Sequence, residues 1–536
     1  MESKINKPFL EKYEFIIPLT LFIIFLVITL PGISTWGAWH PDEIVIRSLG
    51  ALRGEWKFSE INFDYPDLPQ YAMFWLGKLI LALGQTYTEV LIYSRVLSAV
   101  LAGLTIVLTY LITKRISGNR YIAGLSGLLL LCVSEMSHNG RFAHNDTYVT
   151  FFVTLAILFL VNYKKSNHRN WLYASFITVG MAASSKYNGI SLIIAPVLIY
   201  VSARRRALFN LRTLETLFIG GILTFLGFAF GTPKALTWMV YYFKRMIPAL
   251  LRTGNYLRQP DSVRGYIGQY ASFEQGVGLL LFILFAAALI WAGYKVVQAY
   301  RVKPVERETQ TGFLAVLLLA LLALDLPVMV SYNYPMRFFL PMMPIFASLG
   351  ALFVADVYQR NMQYQKALGV ILGVVVILSF ARNISVMLLF FNDARIPASA
   401  FIKTLPLGTS LEHTYYPPDI PEKYFAREHN YPIYFRKAGN EPLPTSKFYE
   451  FNVGEVGLDE RLTDYFVVDG FTMDKFKNPY TCADMQVECD FFKQLATGQS
   501  NHYKLIKEFS YTLPAYLPQI EIAFVNPSIR IYERIK

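Results

Sequence analysis

Charge is scarce in this chain. Charged residues make up 16% of its 536 residues, against about 25% in an ordinary soluble domain. Cysteine is scarcer still: there are three, at positions 132, 482 and 489. That number excludes a disulfide-rich secreted scaffold, and no Cys/His cluster has the spacing of a zinc site. Low-complexity tracts and internal repeats are missing, which excludes a disordered chain and a solenoid. A Gly-rich loop of the kind that cradles nucleotide phosphates is also missing.

What is present is apolar. Hydrophobic residues reach 54% and aromatic residues 15%, and mean hydropathy is +0.35. The apolar residues stand in long runs, and about 20 of them in a row cross a bilayer. Runs near 14–33, 90–113, 121–137, 147–163, 171–185, 188–203, 213–231, 277–297, 312–331, 337–357 and 366–391 predict about eleven spans. The class is an α-helical polytopic membrane protein. Lys4, Lys7 and Lys12 precede the first run as in a signal peptide, but Pro31–Trp36 is a poor cleavage site, so the run reads as an uncleaved span. The stretch 71–83 is short and holds Lys78, so it reads as an amphipathic or re-entrant helix at the interface.

The net charge of +12 could signal nucleic acid, but cytoplasmic loops of membrane proteins carry the same excess. No nucleic-acid partner is expected. One set of connections is short and basic, including Lys114-Arg115, Lys164-Lys165, Arg204-Arg205-Arg206 and Lys295 through Arg307. The opposite set holds the long loops 34–89 and 232–276, with diluted positive charge. The positive-inside rule then puts the N-terminus in the cytoplasm of a plasma-membrane protein, and an odd span count puts the C-terminal region outside. From about Asn392 no run of bilayer length remains. Alternating stretches such as Asp464–Val468 and Ile529–Tyr532 predict strands. The expected organisation is a membrane domain at 1–394 and a small extracytoplasmic α/β domain at 395–536. Cys132 lies in an apolar run and reads as a packed thiol. Cys482 and Cys489 stand in a polar segment, and an extracytoplasmic location leaves a disulfide between them open.

The outer-face connections carry the unusual polar residues. They are Trp39-His40-Pro41-Asp42-Glu43, Arg141-Phe142-Ala143-His144-Asn145-Asp146, Lys186-Tyr187-Asn188, the basic loop containing Arg258 and Arg264, and Tyr334-Pro335-Met336-Arg337. A single such residue is as readily a snorkelling or topology residue. Five clusters on one face point to function, because ionisable groups at that depth are costly. Lys186, Arg337 and the loop arginines suit a phosphate, and the carboxylates beside them suit a base or a group that orients a hydroxyl. A substrate with an anionic head and a lipid tail fits such a face.

The pattern resembles the integral-membrane glycosyltransferases of the C-type fold: the dolichyl-phosphate-mannose protein mannosyltransferases and the bacterial aminoarabinose transferases. The matching pieces are Asp42-Glu43 after the first span, Tyr65-Pro66 before the interfacial helix, Arg141 followed by Asp146, Lys186-Tyr187-Asn188, and Arg337-Phe338-Phe339-Leu340-Pro341-Met342-Met343-Pro344. The resemblance covers about residues 10–390, and the lack of a large late-loop insertion favours the bacterial type. It implies a polyprenyl-phosphate-linked sugar as donor and transfer on the outer face, usually with inversion, to a glycolipid, glycan or protein acceptor. It implies Asp42 as the base or the carboxylate that orients the acceptor, Glu43 beside it and Asp146 shaping the site. Lys186, Arg337, Arg141, Arg258 and Arg264 would serve the donor phosphate. His40, Tyr65, His144, Tyr187, Asn188 and Tyr266 would shape the substrate pocket. Some relatives bind a divalent ion, but the sequence offers no ligand set to name. The rival expectation is a transporter or flippase of a lipid-linked saccharide, a class that shows matched halves and broken helices; neither is evident here, although Asp325 lies within an apolar run.

Overall fold

The computed structural model describes residues 14–34, 40, 42–57, 63, 65–204, 210–255, 263–301, 310–360, 362–406, 408–414, 416–420, 463–484 and 486–535. Arg258 lies outside the described residues, as do Lys4, Lys7, Lys12, Arg205, Arg206 and Arg307. The chain divides into two compact units. The first is Met1–Ile33 with Asp42–Ile384, and the second is Ser34–Pro41 with Ser385–Lys536.

The first unit is helical. Each apolar run in it forms a helix, because a backbone with no water around it must satisfy its hydrogen bonds internally. Among the described residues, seven helices are long and apolar enough to cross a bilayer, or eight if the bent pair Arg120–Leu131 and Ser134–Gly140 is one span. Shorter apolar helices occupy Ile16–Thr29 and Tyr187–Ser202. The protein is an integral membrane protein. Helix Leu68–Ala82 covers the short stretch that holds Lys78, whose ammonium lies 4.9 Å from the ring centroids of both Phe74 and Trp75.

Local signals start and stop these helices. Helix Tyr87–Ser117 begins at a capping box formed by Thr86 and Glu89 and ends at Gly118 in the left-handed region, φ 68°. Asn119 then caps Arg120–Leu131. Small residues set the packing. A Cβ on Gly180 would sit 2.0 Å from the Thr224 carbonyl oxygen, and one on Gly227 would sit 2.2 Å from that of Ile177. Helices Arg169–Ser185 and Leu211–Gly231 therefore meet backbone to backbone, as small residues allow in membranes. This contact fixes the ends of both helices, where Ser184 and Thr232 hydroxyls lie 2.7 Å apart. The core runs through Phe25, Leu129, Val153, Phe176, Phe285 and Leu349.

The second unit is built on a four-stranded sheet of order β1-β2-β4-β3, with β1 Leu411–His413, β2 Tyr465–Asp469, β3 Tyr503–Phe509 and β4 Ile529–Arg534. β1 runs parallel to β2, and β4 pairs antiparallel with both β2 and β3. The alternating stretches at 464–468 and 529–532 are thus strands, and they are neighbours. Helix Gln486–Thr497 packs Phe491, Phe492 and Leu495 onto Phe466, Val468 and Tyr532. Cys482 and Cys489 form a disulfide with Cα atoms 5.2 Å apart, and Cys132 is free and buried.

Candidate active site

Asp42 and Glu43 are adjacent in sequence and have different surroundings. Glu43 is fully buried. Arg95, from the third turn of helix Tyr87–Ser117, donates to it twice: Nε to Oε1 at 2.8 Å and Nη2 to Oε2 at 2.7 Å. The Ala143 amide donates to Oε1 as well, at 2.8 Å. Glu43 therefore ties the segment after Ile33 to helix Tyr87–Ser117 and to the turn that carries Asp146. Asp42 keeps 34% of its side chain exposed, and Arg337 donates to its Oδ2 at 3.0 Å.

The turn at 141–146 delivers the next groups. His144 caps helix Asn145–Ser166 and places Asp146 in its first turn. His144 Nδ1 lies 2.7 Å from Asp146 Oδ2, and Lys186 Nζ lies 2.5 Å from Asp146 Oδ1. Lys186 reaches this position because helix Arg169–Ser185 ends there in an extended residue, φ −154°. Its ammonium also stands 4.2 Å from the Phe338 ring centroid. Burial pulls the Lys186 ammonium below the usual lysine range, and the Asp146 carboxylate opposes that shift. Arg337 feels the carboxylates of both Asp146 and Asp42, so the five groups form one electrostatic cluster. Asp42 and His144 also offer ligand-type atoms within 4.8 Å of each other.

Around the cluster, Tyr65 is half-buried under the Arg47 guanidinium, and burial pushes its phenol up to about 12. Tyr187 donates to the Phe63 carbonyl at 2.9 Å and meets the Tyr242 hydroxyl at 2.6 Å. Asn188 packs beside Val149, Leu324, Phe338 and Pro341 around a narrow crevice. Its Oδ1 is buried without a hydrogen-bond partner. Other expected site residues lie elsewhere or serve other bonds. Arg141 is 1% exposed, and its guanidinium donates to Ser137 and to the Ile28 carbonyl. Arg264 is exposed and donates to the Val330 carbonyl at 3.2 Å, and Tyr266 is 54% exposed. His40 belongs to the second unit, where its ring packs edge-on against Phe524.

Sequence reasoning missed three features here. Arg95 reads as one basic residue within a span, and only its partner explains it. Asp67 and Lys234, 167 positions apart, form a buried pair at 2.9 Å roofed by the Phe63 and Tyr242 rings. Burial pushes the Asp67 carboxyl up to about 6 against the pull of Lys234, and its Oδ2 has no hydrogen-bond partner. Asn145 is fully buried with neither amide atom bonded. Unbonded buried amides stand out from the general rule of satisfied polar groups, and a polar run such as His144-Asn145-Asp146 at a span's start was the available signal.

A family profile described as dolichyl-phosphate-mannose-protein mannosyltransferase matches residues 15–248. Among characterised proteins, two from Pseudomonas fluorescens are named undecaprenyl phosphate-alpha-4-amino-4-deoxy-L-arabinose arabinosyl transferase. One is 25% identical over 41% of this chain and 40% of its own length. The other is 24% identical over 56% of this chain and 53% of its own length. The chain thus spans about half the length of the curated relatives it matches. Among solved structures, the Archaeoglobus fulgidus oligosaccharyltransferase in its apo form aligns with a TM-score of 0.54 at 11% identity, covering 100% of this chain and 90% of its own. ArnT from Cupriavidus metallidurans bound to undecaprenyl phosphate aligns with a TM-score of 0.51 at 12% identity, covering 98% of both chains. In its sequence and its fold, the chain resembles the integral-membrane glycosyltransferases of the C-type fold, among them the bacterial aminoarabinose transferases.

Proposed function

We propose that this protein is a membrane glycosyltransferase that moves a sugar from a polyprenyl-phosphate donor to a hydroxyl acceptor on the outer face of the membrane. The observation that carries the reading is the partly exposed Asp42–Arg337 pair beside the buried Lys186–Asp146–His144 chain. A carboxylate beside two cations suits the meeting of a hydroxyl and a phosphate. The acceptor oxygen attacks the anomeric carbon, and the bond from that carbon to the phosphate oxygen breaks with inversion. The lipid phosphate leaves with the bonding pair, held by Arg337 and Lys186, and the hydroxyl proton passes to Asp42.

The resting contacts give the reaction an order. Arg337 donates to Asp42, so a donor phosphate that takes Arg337 releases the carboxylate for the acceptor. Glu43 holds the Asp42 segment in place through Arg95. Asp146 orients Lys186, with His144 behind it. Tyr65, Tyr187 and Asn188 border the sugar. Asp42 and His144 are close enough to share a divalent cation, and such an ion would add a Lewis acid at the phosphate.

The eleven-span arrangement belongs to the same reading: the N-terminus is cytoplasmic, and residues 395–536 form an extracytoplasmic domain after a membrane domain at 1–394. Envelope glycolipids, glycans and proteins are the acceptor classes to test. Mass spectrometry of all three, with and without the gene, tests the reading. Loss of one sugar mass from one class is expected. An unchanged envelope with altered distribution of a lipid-linked saccharide would instead establish a flippase.

A further inference from the structure

Within the first unit, Gly265–Val277 forms a helix inside the stretch 232–276 that reads as a loop in the sequence. Glycine is unfavourable in a helix interior and is used where another part of the chain must come close. Gly265, Gly268 and Gly276 each have such a neighbour, and the neighbours follow one another along the chain. A Cβ on Gly265 would sit 2.0 Å from the Val328 carbonyl oxygen. One on Gly268 would sit 2.1 Å from the Tyr334 hydroxyl, and one on Gly276 would sit 2.1 Å from Met336 Cγ. The next residue is Arg337, the cation that donates to Asp42.

Polar bonds follow the same line. The Gly265 amide donates to the Ser331 carbonyl at 2.8 Å. Arg264, which precedes the helix, donates to the Val330 carbonyl, and its guanidinium stands 4.9 Å from the Tyr332 ring centroid. The Tyr334 hydroxyl donates to the Val263 carbonyl at 3.2 Å. Gln269 donates to Asp325 at 3.4 Å, so the carboxylate within an apolar run is tied to this helix too. Past Arg337, the Phe339 ring meets the Phe273 ring with centroids 5.7 Å apart. The helix is anchored at its far end, where the Ser134 hydroxyl donates to the Gly276 carbonyl at 3.1 Å and Arg382 donates to the Gln275 carbonyl at 2.5 Å. Residues 330–335 form neither helix nor strand, so these contacts set where Arg337 stands.

We infer that helix Gly265–Val277 positions Arg337, with Gly268 and Gly276 as the positioning residues. The two glycines leave gaps that seat Tyr334 and Met336, and Met336 is joined directly to Arg337. A side chain at position 276 displaces Met336 and carries the guanidinium away from its place beside Asp42. Arg264 acts in the same way, through the Val330 backbone. This inference rests on the reading of Arg337 as a holder of the donor phosphate, and it names what fixes that cation in place.

The test uses the full-length protein with Gly276→Ala. Alanine is the better helix former, so a purely helical role for Gly276 predicts no loss. The variant is expected to raise the donor KM about tenfold, since small misplacements of a binding group are costly, with kcat within about twofold. In a Met336→Ala background the thioether is gone, and adding Gly276→Ala is expected to leave the donor KM unchanged. Gly268→Ala meets only the far end of the Tyr334 side chain; it should raise the donor KM less, and it carries the test if Gly276→Ala does not fold. A wild-type donor KM in the folded glycine variants would overturn the inference, as would a rise that persists in the Met336→Ala background. Labelling reads the position without activity. The native cysteines are a buried thiol and a disulfide, so a small thiol reagent reports on Arg337→Cys. Adding Gly276→Ala is expected to shift its labelling rate several-fold, and an equal rate would overturn the inference. Unchanged donor dependence in Arg337→Ala would instead remove the phosphate reading and leave the labelling result standing, so the two failures are distinguishable.

Discussion

Asp42 and Glu43 share a sequence neighbourhood, yet their surroundings differ in almost every physical respect. Around Glu43 everything is closed. Its pair with Arg95 has side-chain exposures of 0% and 2%, with two short parallel bonds and a backbone amide. Around Asp42 the pair with Arg337 has exposures of 34% and 22%, with Arg337 donating to Oδ2 at 3.0 Å. A buried charge pair is costly to form and more costly to break, whereas a half-exposed one can be exchanged for another partner. The closed pair suits holding a backbone, and the open pair suits meeting a substrate.

The largest expected effect breaks this comparison on the open side. Asp42→Asn removes the proposed base while keeping size and hydrogen bonding, and transfer should fall by about 10²–10⁴. Purified variant and wild type should unfold at the same temperature. Transfer at near wild-type rate would move the chemistry to Asp146 or Glu43. On the closed side, Glu43→Gln leaves the Arg95 charge uncompensated, at a cost of about 3–5 kcal/mol. Thermal unfolding in detergent should show the loss, and an unchanged midpoint would mean that the pair is not structural.

Lys186→Ala and Arg337→Ala sharpen the comparison further. Each should weaken donor binding by about 2–5 kcal/mol, read as a raised donor requirement in a transfer assay. Unchanged donor dependence in both would remove the phosphate role. Asp42→Asn, by contrast, removes the carboxylate that competes for Arg337, so it should tighten donor binding as it abolishes transfer.

The smallest effect concerns the other buried pair. Burial raises the Asp67 carboxyl from the ordinary 3.8 to about 6. The folded state then holds more protons than the unfolded state between those values, so this group's stability contribution is lost as pH rises from about 4 to 6. Asp67→Asn lacks that loss. Its unfolding midpoint should gain on wild type between pH 4.5 and 7, and a constant difference would show that Lys234 keeps the carboxyl ionised throughout.

Much of this was legible in the sequence. Apolar runs located the helices of bilayer length, because helix formation in a bilayer follows from hydropathy and length, whereas helices Met239–Asn255 and Gly265–Val277 lie in the stretch read as the loop 232–276. Alternation at 464–468 and 529–532 located two paired strands, and a spacing of seven in a polar segment made Cys482 and Cys489 credible partners. Asp42, Lys186, Asp146 and Arg337 stood out because charge next to apolar runs is expensive, and the structure brings them together. The errand of each charge was less legible. Arg141 and Lys186 look alike as outer-turn cations, yet one is bonded to Ser137 and the Ile28 carbonyl and the other faces Asp146. Arg95 and Lys234 gave no sign of their partners, since each pair joins positions far apart.

The sequence by itself determined the membrane class, the helical character of the first unit and which polar residues stand out beside apolar runs, because those depend on composition and local spacing. Only the tertiary structure decided which carboxylate was closed and which stayed open. It decided that Glu43 would meet Arg95 across 52 positions and Asp42 would meet Arg337 across 295. The physical reason is that an ion pair's value depends on solvent exposure and geometry, and both arise when distant helices pack.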